Sequence, residues 1–360
     1  MPAFLPVSPR SSKSLLMKST TALALTCLAA TLPSAAFADA PKVVTSIKPV
    51  HSLVTAVMQG VGEPTLLIDG ANSPHGYALK PSQAGALQDA DIVFWIGEEL
   101  APSLKKPIDT LASNAKVITL MDADGISHLP FRQGTTFEAH EHDDGDKHEH
   151  GHDDHAHGEK DHDEHAHKEQ EHEHEHEHKD HDEHAHGAQD PHIWLNPENG
   201  KAMLAAISAA LGAADPENAA LYDKNAEAME GVIDTLSGGI EASLSNFENP
   251  GFIVFHDAYH HFEHRYGVEA TGAITLSPET APSAERVMEI RTKIAESGAR
   301  CVFSEPQFEP KIVATVIEGT GTKTATLDPL GAGLANGPDL YPQLIANLAK
   351  NLTGCLASPS

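Results

Sequence analysis

Short runs of apolar residues alternate with helical stretches along most of this chain, and the alternation limits the folds open to it. Continuous apolar runs rich in β-branched and aromatic residues are typical of strands buried on both faces of a parallel sheet. Four such runs lie in each half, at residues 43–47, 64–68, 91–96, 116–120, 252–255, 268–271, 300–303 and 324–327, with helices between them, for example at 50–59 and 80–88. The pattern predicts an α/β fold of two lobes, each a roughly four-stranded parallel sheet flanked by helices.

A long amphipathic segment separates the two halves. Asp215-Pro216-Glu217 has the composition of a helix start, with a capping Asp, Pro in the first turn and an acidic residue near the positive end. Apolar residues then recur every three or four positions, which predicts about 32 residues and roughly 48 Å of helix. Gly238-Gly239 is the point at which this helix would divide in two. We expect a linking helix at 214–249, between an N-terminal lobe at 41–213 and a C-terminal lobe at 250–360.

The N-terminus has the pattern of a secretory signal peptide. Lys13 and Lys18 precede a short apolar run, and the small-residue sequence Ala36-Phe37-Ala38 follows it. The run is shorter than the roughly 20 residues of a membrane-spanning helix. We therefore expect residues 1–38 to be removed, with cleavage after Ala38 or Ala40, and the mature protein to be periplasmic.

The cysteines predict a disulfide, and the net charge limits the partners that this protein can bind. Removal of the leader takes away Cys27 and leaves Cys301 and Cys355. In an oxidising compartment an even pair predicts a disulfide, and two free buried thiols are the alternative. The formal net charge of −28 argues against a nucleic-acid partner.

Residues 138–187 form an insert of different composition, which we call the histidine-rich insert. It contains no apolar residue larger than Ala, so it cannot bury enough surface to order itself and is predicted to be a disordered loop. Its alternating imidazoles and carboxylates would provide many weak sites for Zn²⁺, Cu²⁺ or Ni²⁺, and a solvated acidic spacer is the alternative. The histidines of this auxiliary metal loop are His140, His142, His148, His150, His152, His155, His157, His162, His165, His167, His172, His174, His176, His178, His181, His184 and His186.

Four metal-capable residues outside the insert are candidates for a single preformed site. Ligands of open α/β sheets bind beyond the carboxyl ends of the strands. His75 follows the second predicted strand, His256 ends the fifth, Asp328 ends the last, and His192 lies where the insert rejoins the chain. Three imidazoles with one carboxylate or water suit four-coordinate Zn²⁺.

Each of these histidines also has an ordinary alternative as a loop or core residue. Three further histidines, His260, His261 and His264, lie close in sequence to His256 and compete with it as ligands. Their spacing is more typical of a partly exposed helix surface.

Several short strings, taken together, resemble one known family. They are Ser46-Ile47-Lys48-Pro49, Phe255-His256-Asp257-Ala258-Tyr259, Ser304-Glu305-Pro306-Gln307-Phe308 and Thr326-Leu327-Asp328-Pro329-Leu330. With the leader, the acidic histidine-rich insert and the final cysteine pair, they resemble the ZnuA-like periplasmic zinc-binding proteins of bacterial zinc ABC importers, a metal-receptor class of solute-binding proteins. The resemblance covers essentially the whole mature chain. It implies two lobes joined by one long helix, with the metal between them.

The resemblance also implies a set of ligands. It carries over His75, His192 and His256, and Asp328 falls where many relatives place a fourth ligand. Some zinc-binding relatives have Glu immediately before the first histidine, where this chain has Pro74, so the fourth position should be Asp328 or water. Manganese-specific relatives commonly have a carboxylate at the position of His256, and an imidazole there favours Zn²⁺ over Mn²⁺.

These observations predict a binding protein and not an enzyme. It would capture Zn²⁺ and deliver it to an inner-membrane ABC permease with its ATPase, as a monomer, with a periplasmic metallochaperone as a further candidate partner. One alternative is a histidine-rich metal buffer or metallochaperone without a permease. Another is a zinc hydrolase with Asp257 or Glu305 as general base, although the chain has no H-E-x-x-H motif outside the histidine-rich insert. An additional adhesin-like role is a third.

Overall fold

The computed structural model describes residues 40–132, 137, 189–245, 251–275, 278 and 281–357. The predicted signal peptide, with Cys27, and the whole histidine-rich insert lie outside the described residues. No helix within these ranges combines the length and the apolar character needed to cross a bilayer.

Two parallel four-stranded sheets organise the described chain, one in each half, and the predicted α/β fold class is confirmed. The first sheet has the order β2-β1-β3-β4 and the second has the order β6-β5-β7-β8. The strands are β1 (Val43–Ile47), β2 (Thr65–Ile68), β3 (Ile92–Trp95), β4 (Lys116–Thr119), β5 (Phe252–His256), β6 (Gly272–Thr275), β7 (Cys301–Ser304) and β8 (Lys323–Thr326). Strands β1, β3 and β5 are buried along their whole length, as continuous apolar runs require.

Helices connect and cover the strands. They are α1 (Lys48–Val57), α2 (Pro81–Gln88), α3 (Pro102–Leu111), α4 (Pro197–Ala214), α5 (Ala219–Leu244), α6 (His260–Tyr266), α7 (Ala284–Ser297), α8 (Pro310–Ile317) and α9 (Leu340–Leu356). Five of them begin with Pro in the first turn, where its missing N–H costs nothing. Helices α6 and α7 end at Gly267 and Gly298, which adopt the left-handed conformation that favours glycine.

The long helix α5 differs from the prediction at its start and at its middle. Asp215 caps the end of α4 instead of opening the next helix, and its carboxylate accepts hydrogen bonds from Asn218 and Tyr222. A turn at 216–218 therefore precedes α5. The helix continues through Gly238 and Gly239 without a break, and it packs against α1 and α4 of the N-terminal half and against α6 and α9 of the C-terminal half.

The sixth strand also differs from the prediction, which was wrong by four positions. The predicted run at 268–271 is a loop, because the backbone amide of Val268 donates to the Glu263 carbonyl and that of Ala270 donates to the Glu263 carboxylate. Both side chains are buried there, so their apolar character reflects a packed loop. The strand begins only at Gly272.

The chain returns to the N-terminal half at its end. The Lys48 ammonium donates to the carbonyls of Ala332 and Leu334, and the backbone amide of Tyr341 donates to the Ser52 hydroxyl. A disulfide joins Cys301 of β7 to Cys355 of α9, with 6.2 Å between their α-carbons, so the predicted disulfide is confirmed.

Candidate metal centre

Three of the four predicted ligands come together between the two sheets. His75 lies in the loop after β2, His192 precedes a short 3-10 turn (Ile193–Leu195), and His256 is the last residue of β5. The centroids of their rings are 5.3–5.8 Å apart. Strands β2 and β5 belong to different sheets, so the site brings together residues that are distant in sequence. Ligand sites at the carboxyl ends of parallel strands are expected for this class of fold.

The three rings direct their free nitrogens toward one another. One ring nitrogen from each histidine lies within 4.8 Å of the other two, and no other such group of three His, Cys, Asp or Glu occurs among the described residues. The Nε2 atoms of His75, His192 and His256 are all buried and have no hydrogen-bond partner in the protein. Buried polar nitrogens usually have a partner, so three unpaired ones in one place fit a metal ion.

Carboxylates hold two of the rings by their other nitrogen. The Nδ1 atom of His192 lies 2.7 Å from the Asp190 carboxylate, and the Nδ1 atom of His256 lies 2.7 Å from the Glu305 carboxylate. Both pairs are buried. A carboxylate that accepts from Nδ1–H leaves the Nε2 lone pair free and increases its basicity, an arrangement that is general for metal-binding histidines.

The sequence pointed to these two carboxylates only indirectly. Asp190 lies two residues before His192, and its carboxylate also accepts the backbone amide of His192. Glu305 lies 49 residues from His256, and the only role that the sequence suggests for it is that of a general base in a hydrolase. The adjacent ends of β5 and β7 in the second sheet bring it to His256.

The electrostatic environment lowers the pKa of two of the three histidines and raises the pKa of the third. Burial, with a smaller contribution from the other two imidazoles, lowers the pKa of His75 to about 2. Burial also lowers the pKa of His192 well below its ordinary value. Burial opposes the charged form of His256 as well, but the Glu305 carboxylate, with smaller contributions from Asp257 and Asp190, outweighs burial and raises the pKa of His256. At neutral pH, His75 and His192 are therefore ready to coordinate a metal ion without losing a proton.

The structure does not bring Asp328 together with the three histidines. One oxygen of its carboxylate accepts hydrogen bonds from the backbone amides of Leu330 and Gly331 and from the Gln307 side chain. The other oxygen accepts the backbone amide of Ala332, at 2.6 Å. This carboxylate stabilises the turn after β8, and these hydrogen bonds would have to break before it could bind a metal ion.

The histidines near His256 lie apart from this group. His264 is exposed and His260 is partly exposed, as expected for a helix surface. His261 differs from that expectation, because it is fully buried and its Nε2 lies 3.1 Å from the Asp190 carbonyl oxygen. Its role is to pack α6 against the segment that carries His192.

A buried ion-pair network lies beside the centre and was not predicted. Arg132, which precedes the histidine-rich insert in the sequence, donates to the carboxylate of Asp257, with its Nε atom 3.1 Å from both oxygens. Its Nη1 atom lies 2.7 Å from the Glu263 carboxylate. The guanidinium also lies 3.9 Å from the centre of the Phe137 ring. This network joins Arg132, and with it Phe137, to the C-terminal half of the chain.

Two cavities of very different size meet at the three rings. The first, lined by Trp194, Phe308 and Leu330 among others, has a volume of about 10 Å³, which is room for no more than one water. The second, which we call the entry cavity, has a volume of about 260 Å³ and is lined in part by Glu99 and Arg132. Three convergent imidazoles, with a narrow cavity on one side and a larger one on the other, suit the binding and exchange of a metal ion.

Comparison with known proteins identifies the family of this chain and agrees with its fold. A relative from Brucella suis, named High-affinity zinc uptake system protein ZnuA, is 56% identical over 315 residues, 88% of this chain and 91% of that protein. A crystal structure of ZnuA has a TM-score of 0.68 at 22% identity and covers 88% of this chain and 99% of that one. A ZnuA deletion mutant with zinc bound has a TM-score of 0.65, again at 22% identity, and covers 89% of this chain and 100% of that one. The family described as zinc-uptake complex component A, periplasmic, matches residues 43–355. The chain therefore belongs to the ZnuA family.

Proposed function

We propose that this chain is an extracytoplasmic solute-binding protein that captures Zn²⁺ through His75, His192 and His256 and delivers it to an ABC permease with its ATPase. The convergence of three buried Nε2 atoms that lack a protein partner carries this proposal. A buried polar atom without a partner costs free energy, and one zinc ion would offset that cost at all three nitrogens. Zn²⁺ is here the transported ligand.

Of the two candidates for the fourth coordination position, Asp328 and water, we propose water. The engagement of the Asp328 carboxylate by backbone amides favours water over Asp328. A neutral three-imidazole set favours Zn²⁺ over Mn²⁺, whereas Cu²⁺ and Ni²⁺ compete by affinity. Selectivity among these would depend on the tetrahedral geometry that the three fixed rings impose.

The names of the relatives support the location and the partner. The Brucella protein is named as part of a high-affinity zinc uptake system, and the family description contains the word periplasmic. We propose that residues 1–38 direct export, and that 41–213 and 250–360 are lobes joined by the segment 214–249. The protein would act as a monomer, and a periplasmic metallochaperone remains a candidate donor of zinc.

The histidine-rich insert has an auxiliary role in this proposal. It would bind several ions weakly, because a disordered ligand set loses conformational entropy on binding. A metal buffer without a permease partner is the competing function, and it would place the strongest site in the insert instead.

An enzymatic role has little support from the site. The two candidate general bases are both engaged, Glu305 with His256 and Asp257 with Arg132. A hydrolase would need a base free to activate water at the metal. We therefore propose binding and release as the function.

Calorimetric titration of zinc into three single variants tests the proposal. His75→Ala and His256→Ala should each lose tight 1:1 binding, because two imidazoles cannot replace three. His264→Ala is the matched control, since His264 is exposed and lies outside the group, and it should bind as the unmodified protein does. Tight binding that survives both His75→Ala and His256→Ala would overturn the assignment.

A further inference from the structure

The entry cavity is large enough to bring a hydrated ion to the three histidines, and the other cavity is not. A zinc ion with about six waters needs roughly 180 Å³, at about 30 Å³ per water. The entry cavity provides about 260 Å³, whereas the smaller cavity provides about 10 Å³. The other residues that line the entry cavity are therefore those that a hydrated ion beside the rings would contact.

Apart from the three histidines, three ionisable side chains line the entry cavity, and two of them are paired with each other. Arg132 and Asp257 form a buried ion pair. Glu99 is exposed, and it takes part in no ion pair within the described part of the chain. Its carboxylate is thus the negative group in this cavity that remains available to a cation.

The position of Glu99 follows from the fold. It lies in the turn after β3, at the same edge of the first sheet as the loop that carries His75. A β-carbon placed on Gly97 would lie 2.6 Å from the Oε2 atom of Glu99. The absence of a side chain at Gly97 therefore leaves the space that this carboxylate occupies.

We infer that Glu99 is the capture carboxylate of this protein, the group that first binds Zn²⁺ in the entry cavity and passes it to the three histidines. One carboxylate oxygen displaces a water from the hydrated ion, and the Nε2 lone pairs then displace further waters as the ion moves inward. The sequence is ligand exchange, in which the displaced waters and the proton carried by His256 leave to solvent, with no change of oxidation state. The inference rests on the proposed function, because it assumes that zinc binds at the three histidines.

The rate of zinc association tests this role. Glu99→Gln removes the charge and keeps the size of the side chain, and Glu98→Gln is the matched control, because Glu98 is an exposed neighbour that does not line the entry cavity. Stopped-flow fluorescence can follow binding through Trp194, whose ring centroid lies 5.4 Å from that of His192. A charge in a narrow cleft can raise association rates tenfold or more, so we expect Glu99→Gln to slow association about 5- to 10-fold and Glu98→Gln to leave it within about twofold.

The outcomes separate this inference from the function on which it rests. Equal association rates for Glu99→Gln and Glu98→Gln, with tight 1:1 binding intact in both, would overturn the capture role and leave the zinc site standing. Absence of tight zinc binding in the unmodified protein would overturn the proposed function itself. A Glu99→Asp variant, which keeps the charge on a shorter side chain, should recover most of the association rate.

Discussion

The number of protons released when zinc binds is a direct consequence of the environments of the three histidines. The pKa of His75 is lowered to about 2 and that of His192 is lowered well below its ordinary value, so both are neutral near pH 7. The pKa of His256 is raised, with Glu305 opposing the effect of burial, so His256 carries a proton until the pH exceeds that raised value. Zinc must therefore displace about one proton, from His256.

The change of zinc affinity with pH follows from the number of protons that zinc displaces. One proton displaced per zinc makes the affinity rise about tenfold per pH unit, or about 1.4 kcal/mol, whereas three ordinary imidazoles would make it rise about a thousandfold per unit below pH 6. Since the pKa of His256 is raised, the affinity should begin to decline as the pH falls through that raised value, which lies above the ordinary imidazole value of about 6.5, and should keep declining below it. Competition against a chelator of known affinity, measured at several pH values, gives this slope.

The Glu305→Gln variant tests whether the Glu305 carboxylate is responsible for the raised pKa of His256. An amide does not stabilise the imidazolium, so burial would dominate, His256 would become neutral, and the slope should fall toward zero. Loss of the carboxylate that orients the ring should also weaken binding at pH 7.5 about 10- to 100-fold. Glu309→Gln is the control, because Glu309 is exposed on the same lobe. A slope near three in the unmodified protein, or an unchanged slope in Glu305→Gln, would refute the reasoning.

Three further predictions concern stability and the insert. Replacing both Cys301 and Cys355 by Ser should lower the free energy of unfolding by about 4 kcal/mol in denaturant titrations, because the disulfide closes a loop with a sequence separation of 54. Arg132→Met should cost about 3–5 kcal/mol in the same assay, because it leaves Asp257 and Glu263 buried without a cation; an unchanged midpoint would contradict this. Deleting the histidine-rich insert should remove the weak zinc sites seen by calorimetry and keep one tight site.

Most of the fold follows from the pattern of apolar residues. Strands such as β1 and β5 are buried on both faces, so their sequences are continuously apolar and easy to identify. The sixth strand was placed too early, because a packed loop at Val268 is as apolar as a strand and β6 itself begins with Gly. The start of α5 was also misplaced, since Asp215 stabilises the turn that ends α4 through its own side-chain hydrogen bonds.

The candidate site was only partly accessible from the sequence. His75 and His256 could be proposed because both follow strands, where ligands of α/β sheets bind. The carboxylates that orient the rings were harder to identify, because the contact between His256 and Glu305 depends on the pairing of β5 with β7 and leaves no local spacing. The role of Asp328 could not be predicted from the sequence either, because it depends on the backbone amides that donate hydrogen bonds to its carboxylate in the folded turn.

A crystal structure of the zinc-loaded protein, with anomalous scattering recorded at the zinc edge, tests the central claim most directly. The account predicts one strong anomalous peak, about 2.0–2.1 Å from the Nε2 atoms of His75, His192 and His256, with a water at the fourth position. A strongest peak at any other place, or a zinc ion bound to the Asp328 carboxylate without one of these three histidines, would contradict it.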